Sequence, residues 1–174
     1  MKKNLTLIMI MTFGLINAAD INTEGTQSKP VEVNVTVKGD PAKWQAATND
    51  KLSLFEAAQI GDVIQVMNLL NKGVKANVID FNSGKSPLML AAEGGFSDIV
   101  QLLITKGADV NKRTFSSGAT ALMLAAHNGH TEVVKILLKN KADKNARTFN
   151  GSLTAAQIAK NANHSDIVNL LNAK

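Results

Sequence analysis

The sequence has no cysteine and no tyrosine, and only one tryptophan and three prolines in 174 residues. The absence of cysteine excludes disulfide bonds, thiolate metal sites and cysteine nucleophiles. Three histidines leave few groups for acid–base chemistry. The hydrophobic share of 45% is normal for a packed protein and argues against disorder throughout the chain. We therefore expect a small protein that is stabilised by regular packing and performs no covalent chemistry.

The first segment, residues 1–19, has the pattern of a secretory signal peptide. Two lysines give a basic start, residues 5–16 form an apolar run, and small residues follow. The apolar run is shorter than the roughly 20 residues that a membrane-spanning helix needs. We expect cleavage after Ala18 or Ala19, no stable membrane insertion afterwards, and an exported protein that is located in a bacterial periplasm or secreted.

A period of 34 residues organises much of the remaining sequence. Residues 85–92 (KSPLMLAA) align with residues 119–126 (ATALMLAA) after a shift of one period. The segments that begin at Asp98, Glu132 and Asp166 align with one another in the same way. A fixed period of this length indicates a stacked array of repeats.

Each repeat is predicted to contain two short helices. In the second repeat, Leu88 and the apolar residues after it form the inward face of a first helix, which ends at Gly95. Ser97 begins a second helix, and Asp98 after it suits the positive end of the helix dipole. Gly107 ends this second helix as a left-handed cap.

Several of these segments resemble the ankyrin repeat. The family's Thr-Pro-Leu-His-x-Ala motif is similar to residues 86–91 (SPLMLA) and to residues 120–125 (TALMLA). The family's Gly-His pair is present as Gly129 and His130. Its Gly-Ala-Asp-Val-Asn ending stands intact at residues 107–111.

The resemblance implies an all-α fold, an α-solenoid of about four ankyrin repeats with hairpin fingers between the helix pairs. The repeat domain is expected over residues 50–174, and the outer two repeats match the motif less well, as capping repeats do. The expected repeats span about 50–84, 85–118, 119–151 and 152–174.

The sequence departs from the family pattern at two points. Met89 and Met123 stand where the motif has histidine, so an apolar stripe replaces the polar contact of that histidine. The period of 34 residues is also longer than the roughly 33 residues of the family. The extra residue falls within the finger, so we expect finger tips of unusual shape.

Residues 20–49 are predicted to be a linker ahead of the repeats. Residues 21–30 are polar, whereas residues 31–37 alternate valine with polar residues in the period of a half-buried strand. A single strand needs a partner, and the sequence offers no second strand. Three arrangements are open: it lies along the first repeat, adds to the sheet edge of a partner, or stays extended.

The sequence carries no motif for catalysis or metal binding. His130 and His164 share the structural Gly-His position of the family, and three scattered histidines do not supply the converging ligands that zinc needs. A phosphate-binding glycine loop, Gly-x-Ser-x-Gly and His-Glu-x-x-His are all absent. We expect no enzymatic activity, no cofactor and no metal.

Aromatic and cationic residues recur in the predicted fingers. Phe81, Phe115 and Phe149 follow one another at the repeat spacing, and Arg113 and Arg147 precede two of them. Aromatic residues and arginine dominate the binding energy of many protein interfaces. Two interpretations are open: the phenylalanines contact a partner, or each packs against a neighbouring finger and stiffens the row.

The ankyrin resemblance implies a concave groove that binds another protein. We expect a monomer, and we expect no nucleic acid as a ligand, because the chain lacks interleaved aromatic and basic residues. The candidate contact residues come from the fingers and the first helices: Phe81, Asn82, Lys85, Met89, Glu93, Arg113, Phe115, Ser117, Met123, His127, Arg147 and Phe149.

Two roles fit such a binding module. The first is an inhibitor or immunity protein that blocks an exported hydrolase and protects the producing cell. The second is an accessory factor for the maturation of a periplasmic enzyme such as catalase, with haem handling, because some bacterial ankyrin proteins resemble assistants of catalase.

Overall fold

The computed structural model describes residues 41–173, with the side chains of 46 and 48–173. The predicted signal peptide (1–19) and the predicted strand (31–37) lie outside the described residues. Within them the chain forms eight α-helices and no strand. The helices are α1 (Pro41–Ile60), α2 (Val63–Asn71), α3 (Pro87–Gly94), α4 (Ser97–Thr105), α5 (Ala121–His127), α6 (Thr131–Lys139), α7 (Ala155–Asn161) and α8 (Ser165–Asn172).

The helices pack as four antiparallel pairs, one pair in each repeat. The first helices of the pairs contact one another in the order α1, α3, α5, α7, and the second helices in the order α2, α4, α6, α8. Each repeat therefore contacts its neighbours through both rows. The predicted all-α solenoid is confirmed.

Hydroxyl side chains set the start of the first helices. Ser86, Thr120 and Thr154 each accept a hydrogen bond from the backbone N–H three residues later, which satisfies a donor that the helix leaves free. Leu52 occupies the same position in the first repeat and has no such group. Because no capping side chain marks a helix start at this position, α1 extends back to Pro41, into the segment predicted as a linker.

The second helices begin differently from one another. Asp62 caps α2 by accepting a hydrogen bond from the Gln65 N–H at 2.9 Å. The N-cap positions of α4, α6 and α8 are held by Phe96, His130 and His164 instead. Their side chains make no capping hydrogen bond to these helices. An acidic residue in the first turn of each favours the positive end of the helix dipole.

A single apolar core runs through all four repeats. Small alanines at the contacts between the first helices let these helices approach closely, and larger side chains fill the space between the two rows. The largest fully buried side chains are Leu54, Leu69, Leu88, Met89, Ile99, Leu103, Leu122, Met123, Leu137 and Ile167. Across the described part of the chain, no helix combines the length and the apolar character that a membrane crossing requires.

Candidate functional site

The connections between repeats form three turns that the same backbone hydrogen bond closes, here called finger 1 (80–85), finger 2 (114–119) and finger 3 (148–153). In each finger the backbone N–H of the first residue donates to the carbonyl of the last, at 2.9–3.0 Å. Asp80 opens finger 1, where the other two fingers begin with threonine. The extra residue of the 34-residue period is thus accommodated in a regular turn.

A left-handed residue shapes each finger. Gly84 and Gly118 have φ angles of 71° and 69°, which glycine adopts at little cost. Ser152 takes the same place in finger 3 with a φ of 50°. Finger 3 therefore has serine at the left-handed position where fingers 1 and 2 have glycine.

Backbone hydrogen bonds join the fingers into one row. The Phe115 N–H donates to the carbonyl of Ser83 at 3.2 Å, and the Phe149 N–H donates to the carbonyl of Ser117 at 2.8 Å. Each finger is thus attached to the preceding one through the residue at its tip. We call this continuous edge the finger row.

The phenylalanine rings explain why the first two fingers need glycine. A Cβ atom on Gly84 would lie 2.7 Å from the Phe115 ring and equally close to its backbone nitrogen. A Cβ on Gly118 would lie 2.8 Å from the Phe149 ring. Among the described residues after Ser152 no further finger follows, so no phenylalanine equivalent to Phe115 or Phe149 requires a glycine at this position.

Arg113 reinforces the joint between fingers 2 and 3. Its guanidinium carbon lies 4.7 Å from the centre of the Phe149 ring, and Nη2 donates to the carbonyl of Arg147. Its Nε is buried without a hydrogen-bond partner among the described residues. Arg147 instead donates through Nη1 to the carbonyl of Ser152 in its own finger, at 2.7 Å.

The three phenylalanines nevertheless stay accessible. Phe115 and Phe149 are 54% and 58% exposed although each packs on a glycine of the preceding finger. Phe81 has no preceding finger and is 83% exposed. The packing interpretation is therefore correct for Phe115 and Phe149, and enough of each ring remains open for contact with another molecule.

Met89 and Met123 do not belong to an accessible surface. They are 1% and 2% exposed, so the prediction that they are contact residues is wrong: they are core residues. Each is the third residue of its helix, and its N–H is bonded to the capping hydroxyl of Ser86 or Thr120. Both thioether side chains are therefore part of the apolar core that runs through the repeats.

The other predicted contact residues lie at the surface but in two places. Asn82 and Ser117 belong to the finger tips. Lys85 and Glu93 form an ion pair of 2.6 Å at the start and end of α3, and both are partly exposed. His127 is exposed at the end of α5 and belongs to the helix row rather than to the fingers. The structure therefore joins the finger residues into one edge and leaves His127 apart.

Two asparagines that the sequence did not single out fix the spacing of the repeats. Asn77 Oδ1 accepts from the Asp109 N–H and its Nδ2 donates to the Gly107 carbonyl, both at 2.7 Å. Asn111 makes the equivalent bonds to the Asp143 N–H and the Lys141 carbonyl. The signal was present, since Asn77 and Asn111 share one position of the 34-residue period.

The histidines have structural contacts. The rings of His130 and His164 lie over Gly95 and Gly129, and their Nε2 atoms lie 3.0 Å from the carbonyls of Glu93 and His127. The interpretation of both as hydrogen-bonding residues at the start of second helices is confirmed. Within residues 41–173, no group of three or more metal-binding side chains comes together.

Asp80 gives finger 1 a fixed negative charge. The Ser83 hydroxyl and then the Ser83 backbone N–H bond its Oδ1, at 2.6 and 2.7 Å, and they lower the pKa of this carboxyl below its usual value. The Asp80 carboxylate stands where finger 2 has Thr114. Just before finger 1, Ile79 stands where Arg113 precedes finger 2.

Comparison with protein families gives a match to repeat proteins. The sequence model of a protein family, described as ankyrin repeats (3 copies), matches residues 29–114, 54–148 and 112–174. No curated protein matches the chain.

Proposed function

The chain belongs to the ankyrin repeat family, and from this premise we propose that it binds a partner protein through the finger row. Ankyrin repeats are protein–protein interaction modules and are typically not catalytic. The observation that carries the proposal is the edge formed by Phe81, Phe115 and Phe149, all more than half exposed at one position of successive repeats.

The finger row has the features of an interface that is ordered before binding. Phe115 and Phe149 are held by backbone hydrogen bonds and by their contact with glycine, so little conformational entropy remains to be lost. Aromatic rings with neighbouring arginines are the residue types that most often supply binding energy. The guanidinium of Arg147 is exposed beside this edge and is available to a carboxylate or an aromatic ring.

We further propose that the protein is exported and inhibits an exported hydrolase. The basic start and short apolar run of residues 1–19 support export. Inhibition needs only tight surface complementarity, which a rigid row of fingers supplies without catalytic groups. The alternative role is an accessory factor in the maturation of a periplasmic enzyme, and it makes a different prediction for the partner's activity.

Partner capture tests the binding proposal. Purified protein is immobilised and exposed to periplasmic extract of the source cell, beside an Arg113→Ala/Phe115→Ala variant and a matched control, Ile64→Ala/Met67→Ala. The control removes exposed apolar side chains from α2, away from the fingers. We expect one protein to be retained by the wild type and the control but not by the finger variant. Equal retention by all three would contradict the finger row as the binding surface.

The activity of the captured protein separates the two roles. An inhibitor lowers the hydrolytic activity of its partner in proportion to the amount bound. An accessory factor raises the yield of active partner during assembly and leaves the mature enzyme unaffected. Export is tested separately, by the amino-terminal sequence of the protein recovered from the periplasm, which should begin after Ala18 or Ala19.

A further inference from the structure

The joint between two fingers consists of two complementary halves. One half, on the later finger, is a backbone N–H and a phenylalanine ring, as at Phe149. The other half, on the earlier finger, is a carbonyl and the glycine after it, as at Ser117 and Gly118. The carbonyl accepts the N–H, and the glycine leaves room for the ring. Between fingers 2 and 3 the guanidinium of Arg113 also covers the ring, whereas Ile79 holds the equivalent position before finger 1.

At finger 1, Phe81 supplies the first half of a joint, but no earlier finger among the described residues supplies the second half to it. The Phe81 N–H has no hydrogen-bond partner among the described residues, although the Phe115 and Phe149 N–H groups both do. The positions one period before Ser83 and Gly84 are Asn49 and Asp50, which lie inside α1 and form no finger. The greater exposure of Phe81, 83% against 54% for Phe115, follows from this missing neighbour.

We propose that the partner completes the row at this end: a glycine-containing turn of another protein docks on finger 1 as a preceding finger would. Its carbonyl accepts the Phe81 N–H, and the glycine after that carbonyl lies under the Phe81 ring. A cationic side chain of the turn covers the ring, as Arg113 covers Phe149. This inference rests on the proposed function. It specifies finger 1 as the end of the finger row that the partner contacts, and a glycine-containing turn with a cation as the part of the partner that binds there.

The opposite end of the row does not offer the same seat. In finger 3 the Gly151 carbonyl accepts no hydrogen bond from the described residues and Arg147 is an exposed cation, but the residue after the carbonyl is Ser152. Ser152 holds the finger position of Gly84 and Gly118, where an added Cβ would come within 2.7–2.8 Å of the following phenylalanine ring. The Ser152 side chain would therefore meet the ring of a Phe81 that a second copy placed on finger 3 in this way, so we take the occupant to be a different protein.

The chain itself supplies a probe with the proposed chemistry. A peptide of residues 111–120, closed by a disulfide between added terminal cysteines, presents Arg113, Ser117 and Gly118 in the turn that receives Phe149. It is titrated into the isotope-labelled full chain and followed by NMR chemical shifts. A Gly118→Val peptide serves as the matched control, because it keeps every other group and fills the space under the ring.

We expect saturable shifts at the amides of Phe81 and its neighbours in finger 1, and at least about tenfold weaker binding of the Gly118→Val peptide, which is the effect of one steric conflict. Phe81→Ala in the full chain should abolish the shifts. Shifts confined to finger 3, equal binding of the two peptides, or no saturable shift would each overturn the proposal. Concentration-dependent broadening at Phe81 and Gly151 without peptide would also overturn it, because a second copy would then be the occupant.

Partner capture separates this inference from the proposed function. Loss of capture in both Phe81→Ala and Arg113→Ala/Phe115→Ala supports the two together. Capture that is lost in the double variant but retained in Phe81→Ala overturns the docking at finger 1 and leaves the binding role of the finger row intact.

Discussion

The guanidinium of Arg113 lies over the ring of Phe149, with 4.7 Å between the guanidinium carbon and the ring centre. The same side chain donates a hydrogen bond to the carbonyl of Arg147, so it holds fingers 2 and 3 together through a ring and a backbone group. A cation–π contact at an exposed site contributes about 0.5–1 kcal/mol, and a hydrogen bond from a charged group about 1.5–3 kcal/mol when it is well shielded. Arg113 therefore stabilises the finger row as well as presenting a charge.

The two arginines should differ in their effect on stability. Arg113→Ala removes the ring contact and the bond between fingers, and we expect it to lower the free energy of unfolding by about 1–2 kcal/mol. Arg147→Ala removes only a bond within its own exposed finger, and we expect a loss below about 1 kcal/mol. Urea unfolding followed by circular dichroism measures both. Equal losses would show that the contacts of Arg113 with finger 3 add nothing to the stability of the fold.

Glycine substitutions test the contact between fingers. Gly107→Ala places a Cβ at a φ of 85° with no atom within 4 Å, so only backbone strain of about 1–2 kcal/mol is expected. Gly84→Ala adds a Cβ that meets the Phe115 ring and backbone at 2.7 Å. We expect about 1–3 kcal/mol more destabilisation at Gly84 than at Gly107, measured by thermal and urea unfolding. Equal values for the two variants would mean that finger 2 moves away without cost.

The stability of finger 1 should depend on pH through Asp80. Its hydrogen bonds to Ser83 lower the pKa of the carboxyl in the folded chain relative to the unfolded chain. The contribution is therefore complete above the unfolded pKa of about 3.9 and is lost as the pH falls through the lower folded pKa. The difference in Tm between the wild type and Asp80→Asn should stay constant from about pH 7 to pH 5 and shrink at lower pH.

Ser83 provides the control for the Asp80 experiment. In a Ser83→Ala background, the side-chain hydrogen bond that contributes most to the lowered pKa is gone. The pH dependence of the Asp80→Asn difference should then be weaker than in the wild type. An unchanged pH dependence would assign it to groups other than this pair.

The helix pairs are predictable from sequence because their signals are local and repeated. Ser86 and Thr120 mark helix starts, and glycines after the helices mark their ends. The start of α1 is not predictable in the same way, because Leu52 interrupts the pattern of capping residues. Where the chain then enters the helix depends on the preceding segment, and that segment has no counterpart in the other repeats.

The finger row is predictable only in part. Periodicity identifies Phe115 and Phe149, but it does not show that their rings lie on Gly84 and Gly118 of the preceding fingers. That contact joins positions about one period apart and depends on how the repeats stack. The repeated glycine was a usable signal. A residue without a Cβ atom at the same position of fingers 1 and 2 indicates that another group lies close to the backbone there.

The methionines show the limit of reading a family motif onto a new sequence. Position in the motif placed Met89 and Met123 beside the groove, whereas the packing of α3 and α5 buries them. An apolar stripe on a short helix packs against the neighbour that removes the larger part of it from water. For α3 and α5, that neighbour is the next helix in the row of first helices. Residue type was informative where motif position was not: an unbranched thioether suits an irregular gap in a core.

Met123 allows the core and the contact surface to be separated experimentally. Met123→Ala opens a cavity in the row of first helices and should lower the free energy of unfolding by about 2–5 kcal/mol, whereas Met123→Leu nearly keeps the volume and should cost less than about 1.5 kcal/mol. The Met123→Leu protein should capture the partner as the wild type does. Phe81→Ala should show the opposite pattern, with a stability change within about 0.5 kcal/mol and loss of capture, because its side chain is exposed. A Met123→Ala variant of wild-type stability that fails to capture the partner would return Met123 to the contact surface.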